Sequence, residues 1–139
     1  MESHNAANHE SSAGTPVIEK PPVSFSDDRG YIKNLLNRPC GGVQFIFSRA
    51  GSKRSSHWHK TDGHVLYVLE GMFEYWERPV GSTEPPKRLL VMQGEQIYTG
   101  PGIEHWTRFC VDTQLISMSD KARTHAEHEA DLVRVEWVP

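Results

Sequence analysis

From Phe25 onward, short runs rich in β-branched and aromatic residues alternate with turn residues at close intervals, and this rhythm constrains the fold more than any other feature of the chain. GYIKNLL, GGVQFIFSR, HVLYVLE, MFEYWERPV, RLLVM, EQIYT, HWTRFCV, TQLISMS and DLVRVEWV are each of strand length. Between them stand Arg29-Gly30, Cys40-Gly41-Gly42, Ala50-Gly51, Asp62-Gly63, Glu70-Gly71, Gly81 to Pro86, Gln93-Gly94 and Gly100-Pro101-Gly102. Many short strands broken by such turns within roughly 110 residues predict an all-β sandwich or barrel. With 139 residues, 37% of them apolar, the chain has material for one core and not for two. That core is assigned to residues 25–139. One helix is expected over Lys121–Ala130, KARTHAEHEA, with His125 and His128 on a solvated face. Residues 1–24 carry no aromatic side chain and include Pro16, Pro21 and Pro22, so they are expected to form a disordered arm in which His4 and His9 are solvated.

Charge narrows the partners. The chain has 15 Lys+Arg against 18 Asp+Glu, a formal charge of -3, and no basic block, which argues against nucleic acid or an anionic membrane as partner. No apolar run approaches the roughly 18 to 20 residues that span a bilayer. The N-terminal residues lack the basic start and apolar core of a secretion signal. A cytoplasmic protein is expected, with Cys40 and Cys110 as reduced thiols. The expected partners are a small molecule and a second copy of the chain, since pairing through an outer strand face protects sheet edges.

Four of the eight histidines, His57, His59, His64 and His105, fall among the strands. Side chains alternate along a strand, so His57 and His59 share one side of the sheet while Trp58 takes the other. After the Lys60-Thr61-Asp62-Gly63 turn, His64 opens the next strand and shares its face with Leu66 and Val68. An antiparallel partner returns this third imidazole towards the first two. His105 shares its face with Thr107 and Phe109, and becomes the fourth member if the sheet closes on itself. Imidazole nitrogen suits zinc, iron, nickel, copper and manganese.

From Gly51 to Gly71, GSKRSSHWHKTDGHVLYVLEG resembles the first cupin motif: Gly, five residues, His-x-His, four residues, Glu, six residues, Gly. The departure is His64 in the glutamate position. GEQIYTGPGIEH, from Gly94 to His105, is similar to the second cupin motif, with Gly94, Gly102 and His105 in register, Gly100 in the proline position and Phe109 in place of the final asparagine. The resemblance implies a double-stranded β-helix, or jelly-roll barrel, and a divalent metal (Fe, Mn, Ni, Zn or Cu) held by His57, His59, His64 and His105. A neutral imidazole in place of a carboxylate leaves the metal's charge undiminished, which favours anionic ligands.

Asp27-Asp28-Arg29-Gly30-Tyr31, His57 to Lys60 and the closing HEADLVRVEWV are similar to segments of cupins that act on nucleotide-linked sugars. The resemblance implies an isomerase or epimerase. Such chemistry moves a proton beside a carbonyl, and His57, Tyr75 and Tyr98 are the candidate carriers, while Tyr67 alternates away from the His64 face. Arg54, Lys60 and Phe109 are assigned to the substrate. Arg49, Lys53, Arg78 and Arg108 are further cations that could hold a diphosphate. Trp58, Trp76 and Trp106 are expected in the barrel wall or a subunit contact. A metal-dependent dioxygenase and a non-catalytic small-molecule binder are the alternatives.

Overall fold

The computed structural model describes residues 16–139. Among these residues, twelve strands and one helix follow one another as β1 (Ile18–Glu19), β2 (Val23–Asp27), β3 (Gly30–Lys33), β4 (Gly42–Ser48), β5 (Lys53–His59), β6 (His64–Glu70), β7 (Met72–Pro79), β8 (Lys87–Met92), β9 (Gln96–Thr99), β10 (Ile103–Phe109), β11 (Thr113–Ser119), α1 (His125–Asp131) and β12 (Leu132–Arg134). They form two five-stranded antiparallel sheets, ordered β1-β9-β6-β11-β4 and β12-β5-β10-β7-β8, plus a separate β2-β3 ribbon. This is the all-β architecture expected from the strand rhythm, in the jelly-roll form that the cupin resemblance implied.

Alternation along the strands builds the core. Leu66 and Val68 of β6 and Ile97 of β9 meet Phe73 and Tyr75 of β7 and Phe109 of β10 between the two sheets. Each of these is at most 6% exposed, and burying a side chain of this size contributes roughly 1.5 to 3 kcal/mol. Gly71 makes the β6–β7 turn with φ of 105°, and a Cβ there would collide with Thr113 and the backbone of Asp112. That explains why the last position of the first motif is glycine.

On the outer face of the second sheet, the indole Nε1 of Trp106 donates to the carbonyl of Glu136 at 3.0 Å, and Trp76 meets Trp137 edge-on at 5.7 Å. The chain's own C-terminal tail therefore covers these two tryptophans.

Two local expectations are corrected. Residues 1–15 of the arm, His4 and His9 included, lie outside the described residues. Within 16–24, however, Ile18 and Glu19 pair with Ile97 and Gln96 of β9, Ile18 packs on the core, and Val23 opens β2. A polar composition does not reveal this, because the unpaired backbone groups along β9 supply the partner. The helix starts at His125, four residues later than expected. The backbone N–H of Lys121 instead donates to Asp62 Oδ1 at 3.0 Å, and its carbonyl accepts from Ser119 Oγ at 2.7 Å.

Candidate metal centre

At one end of the space between the sheets, the apolar side chains give way to imidazoles. β5 carries His57 and His59, and β10 places His105 directly opposite His57. Just before this pair, Ser55 and Ser56 adopt φ of 68° and 62°, and Ser56 is an extra residue against β10. Such a bulge turns the strand locally and re-aims the side chains that follow it. From the facing sheet, the first residue of β6 brings in His64. Ring centroids are 4.8 Å apart for His57–His59, 4.7 Å for His57–His105, 5.7 Å for His59–His64 and 5.4 Å for His64–His105. The four imidazoles that the sequence placed on inward faces do converge.

Their partners fix the ring protons. His59 Nδ1 stands 3.3 Å from Asp131 Oδ2, and His105 Nδ1 stands 3.0 Å from the carbonyl of Ile103. Both oxygens can only accept, so Nδ1 carries the proton in each ring and Nε2 keeps its lone pair. These two Nε2 atoms are buried without a hydrogen-bond partner. One nitrogen from each of His57, His59 and His105 lies within 4.8 Å of the others. Burial, then the neighbouring His105 and His59, holds His57 down to about 2, and burial holds His105 down to about 3. His59 is also lowered, chiefly by burial. Neutral imidazoles with inward lone pairs are what a divalent metal requires, so these residues fit one.

His64 differs. Its Nδ1 is 2.8 Å from the guanidinium of Arg123, which is itself held by Asp62 at 2.9 Å.

Two of the rings, His57 and His64, border a cavity of about 230 Å³ whose lining also includes Arg54, Ser55, Thr107, Phe109, Arg123 and His128, and no carboxylate. Arg54 and Phe109, assigned to the substrate from sequence, thus reach it. Lys60 does not. It lines a separate hollow of about 660 Å³ with Thr61, Lys121 and Asp131, and His128 borders both spaces.

The tyrosine candidates are also corrected. Tyr98 lies on the outer side of β9, opposite to the inward Ile97 and Thr99, because alternation places it there. Its hydroxyl donates to Asp120 at 3.0 Å, and burial followed by the Asp120 charge pushes its pKa up to about 12. Tyr75 does face inward and stacks 6.5 Å from His105, but it is fully buried. Its hydroxyl is bonded to Glu77 and Thr99 at 2.6 Å each. It is walled off from the cavity, while burial holds Glu77 up at about 7.

Sequence reasoning missed four residues. His128, read as solvated, lies 5.5 Å from His59, with its Nδ1 buried and unpartnered. Asp131, Arg123 and Asp62 orient the cluster, and no spacing rule marks them. The one available signal was the run HEADLV, whose Leu132 pairs with His59 and thereby carries Asp131 to that ring.

No family model matches the chain, and no curated protein sequence matches it. Solved structures do. The sugar 3,4-ketoisomerase QdtA from Thermoanaerobacterium thermosaccharolyticum, in complex with TDP, superposes with a TM-score of 0.68 at 16% identity, over 86% of this chain and 87% of that one. The dTDP-4-dehydrorhamnose 3,5-epimerase from Sulfolobus tokodaii gives 0.68 at 18% identity over 91% and 82%. The chain has a cupin fold. A third neighbour is ChmJ, a 3'-monoepimerase from Streptomyces bikiniensis in complex with dTDP-quinovose, with a TM-score of 0.71 at 14% identity over 87% and 69%. Identities this low establish the cupin architecture and leave the chemistry to the residues.

Proposed function

We propose that this cupin is an isomerase or epimerase that moves a proton at the carbon beside the carbonyl of a nucleotide-linked or related sugar. The observation that carries this reading is the meeting of neutral imidazoles with a small cavity lined by two arginines and no acid. Similar solved structures are ketoisomerases and epimerases of such sugars, which supports it. His57, His59 and His105 would hold a divalent metal, which when bound polarises a carbonyl oxygen. A cavity of about 230 Å³ suits one sugar ring and not a whole nucleotide sugar. The anionic remainder would lie outside this cavity, and not in the adjoining hollow, where Lys60 and Lys121 are outnumbered by Asp62, Glu127 and Asp131. Arg54 is fixed by Ser48 Oγ at 2.7 Å and the carbonyl of Phe47 at 3.1 Å, so a cation stands ready at the cavity without further ordering. Of the three proton carriers assigned from sequence, His57 alone borders this cavity, and it can move a proton only where it is not a metal ligand.

The test is incubation of the metal-loaded protein with TDP-4-keto-6-deoxyglucose in heavy water. Incorporation of deuterium next to the carbonyl is expected. Its absence under full metal loading would overturn the reading. Oxygen uptake with iron would replace it by a dioxygenase, and thermal stabilisation without exchange would replace it by a binding protein.

We also propose that two copies pair through β4. This edge strand exposes Val43 at 65%, Phe45 at 59% and Phe47 at 43%, all on its outer side. The β2-β3 ribbon exposes Phe25, Tyr31 and Ile32 as well, and an isolated two-stranded ribbon is marginal in water. A second copy packed on β4 would cover its apolar outer side. No helix among the described residues is long and apolar enough to cross a membrane.

A further inference from the structure

The glutamate position of the first cupin motif holds His64, and its hydrogen bond runs in the opposite sense to those of the neighbouring rings. A guanidinium has donors and no acceptor, so at 2.8 Å Arg123 must donate to His64 Nδ1. That nitrogen keeps its lone pair, and the ring's single proton sits on Nε2. This Nε2–H is buried and has no partner. In His59 and His105 the acceptors at Nδ1 place the lone pair on Nε2 instead. Three rings of the same residue type, within 6 Å of one another, therefore present two different faces to the same space.

We propose that His64 is not a metal ligand but a fixed N–H donor which, beside Arg123, binds the oxygen of a carbonyl that becomes negatively charged as an enolate. To use Nε2 as a ligand, the ring would have to lose its only proton while Arg123 still occupies Nδ1. Turning the ring over would place a C–H against the guanidinium and leave a buried cation short of a partner, which is costly. The donor is held in place. Asp62 is 3% exposed, and it binds Arg123 Nε through one oxygen and the backbone of Lys121 through the other. His64 and Arg123 both border the cavity, whose lining includes no carboxylate. A pre-aimed donor pair of this kind stabilises charge as it develops, without reorganisation. The donor assignment stands on hydrogen-bond geometry alone; the enolate rests on the function proposed above.

Three measurements test this, and none depends on turnover. In long-range proton–nitrogen spectra of the histidine-labelled, metal-free protein, His64 should show a protonated Nε2, and His59 and His105 a protonated Nδ1. A protonated Nδ1 on His64 overturns the proposal. On titration with zinc, H64Q and H64A should retain one equivalent, whereas H59A and H105A should lose it. Loss of zinc from H64Q, whose amide can still accept from Arg123 and donate inward, also overturns it. Finally, zinc-loaded protein should bind acetohydroxamate, a mimic of an enolate bearing two oxygens. Binding should be at least about tenfold weaker in H64A and largely restored in H64Q. Equal binding by all three, or no binding by the wild type, refutes the donor role. Failure of deuterium exchange with these results intact would count against the sugar reaction and not against His64.

Discussion

Asp131 Oδ2 stands 3.3 Å from His59 Nδ1, although 72 positions separate the two residues. The carboxylate is held there by the backbone N–H of Thr61 at 2.8 Å and the hydroxyl of the same residue at 2.6 Å. These bonds, with the nearby His59, keep Asp131 below the usual carboxylate range against the opposing effect of burial. A charged acceptor behind a ring fixes its tautomer and raises the basicity of the far nitrogen. D131A should therefore weaken zinc binding by roughly 10- to 100-fold. Competition against a chelating dye measures this, and an unchanged affinity would show that Asp131 does not orient His59.

The metal-free protein should lose stability as pH falls from 7 to 5. His57 and His105 sit at about 2 and about 3 when folded, against an ordinary 6.5. Below pH 6.5 the unfolded chain takes up protons that the folded chain refuses. Stability that is complete above 6.5 is thus lost on acidification down to about 3, at roughly 1.4 kcal/mol per pH unit for each such group. His59 and His64 act in the same direction. Glu77 opposes them, because its rise from 4.5 to about 7 favours the folded state at low pH and this contribution fades as pH rises through that window. Glu19, also raised by burial, acts with Glu77, but these two carboxyls stand against several histidines, so the net slope is positive. Urea midpoints between pH 5 and 8 in the presence of chelator check this; a flat profile would contradict a neutral cluster.

The two inward and outward tyrosines should respond differently to loss of a hydroxyl. Y75F leaves Glu77 and Thr99 without a buried partner and should cost about 1 to 3 kcal/mol. Y98F removes a bond to the part-buried Asp120, which Arg38 also holds at 2.6 Å, and should cost less than about 1 kcal/mol. Neither variant should lose deuterium exchange at the sugar, since neither hydroxyl borders the cavity. A large loss in Y98F would restore that residue as an acid.

Pairing through β4 predicts that F45K will run as a monomer in light scattering under conditions where the wild type is a dimer. Zinc stoichiometry should be unchanged, because Phe45 points away from the cavity that Gln44 and Ile46 line. A wild-type monomer would end this proposal.

Strand rhythm and the His-x-His spacing were legible in the chain because side-chain alternation is a local property of extended backbone. His57, His59, His64 and His105 could thus be assigned to inward faces before any coordinates, and Phe109 beside them. Tyr98 was not, since the direction of a residue near the Gly100-Pro101-Gly102 corner depends on how β9 pairs with β6. His128 was read as solvated because a seven-residue helix with charged neighbours looks the same from sequence whether or not it lies over a cavity.

What the sequence determined alone is the all-β architecture and the inward faces of four imidazoles, with the jelly-roll form implied by the cupin motifs. What only the tertiary structure decided is which nitrogen of each ring carries a proton, and so what each ring can do. Asp131, Ile103 and Arg123 make that choice, and two of the three come from residues 59 or more positions away. A tautomer is set by the acceptor or donor across the hydrogen bond, and the distant chain supplies that partner.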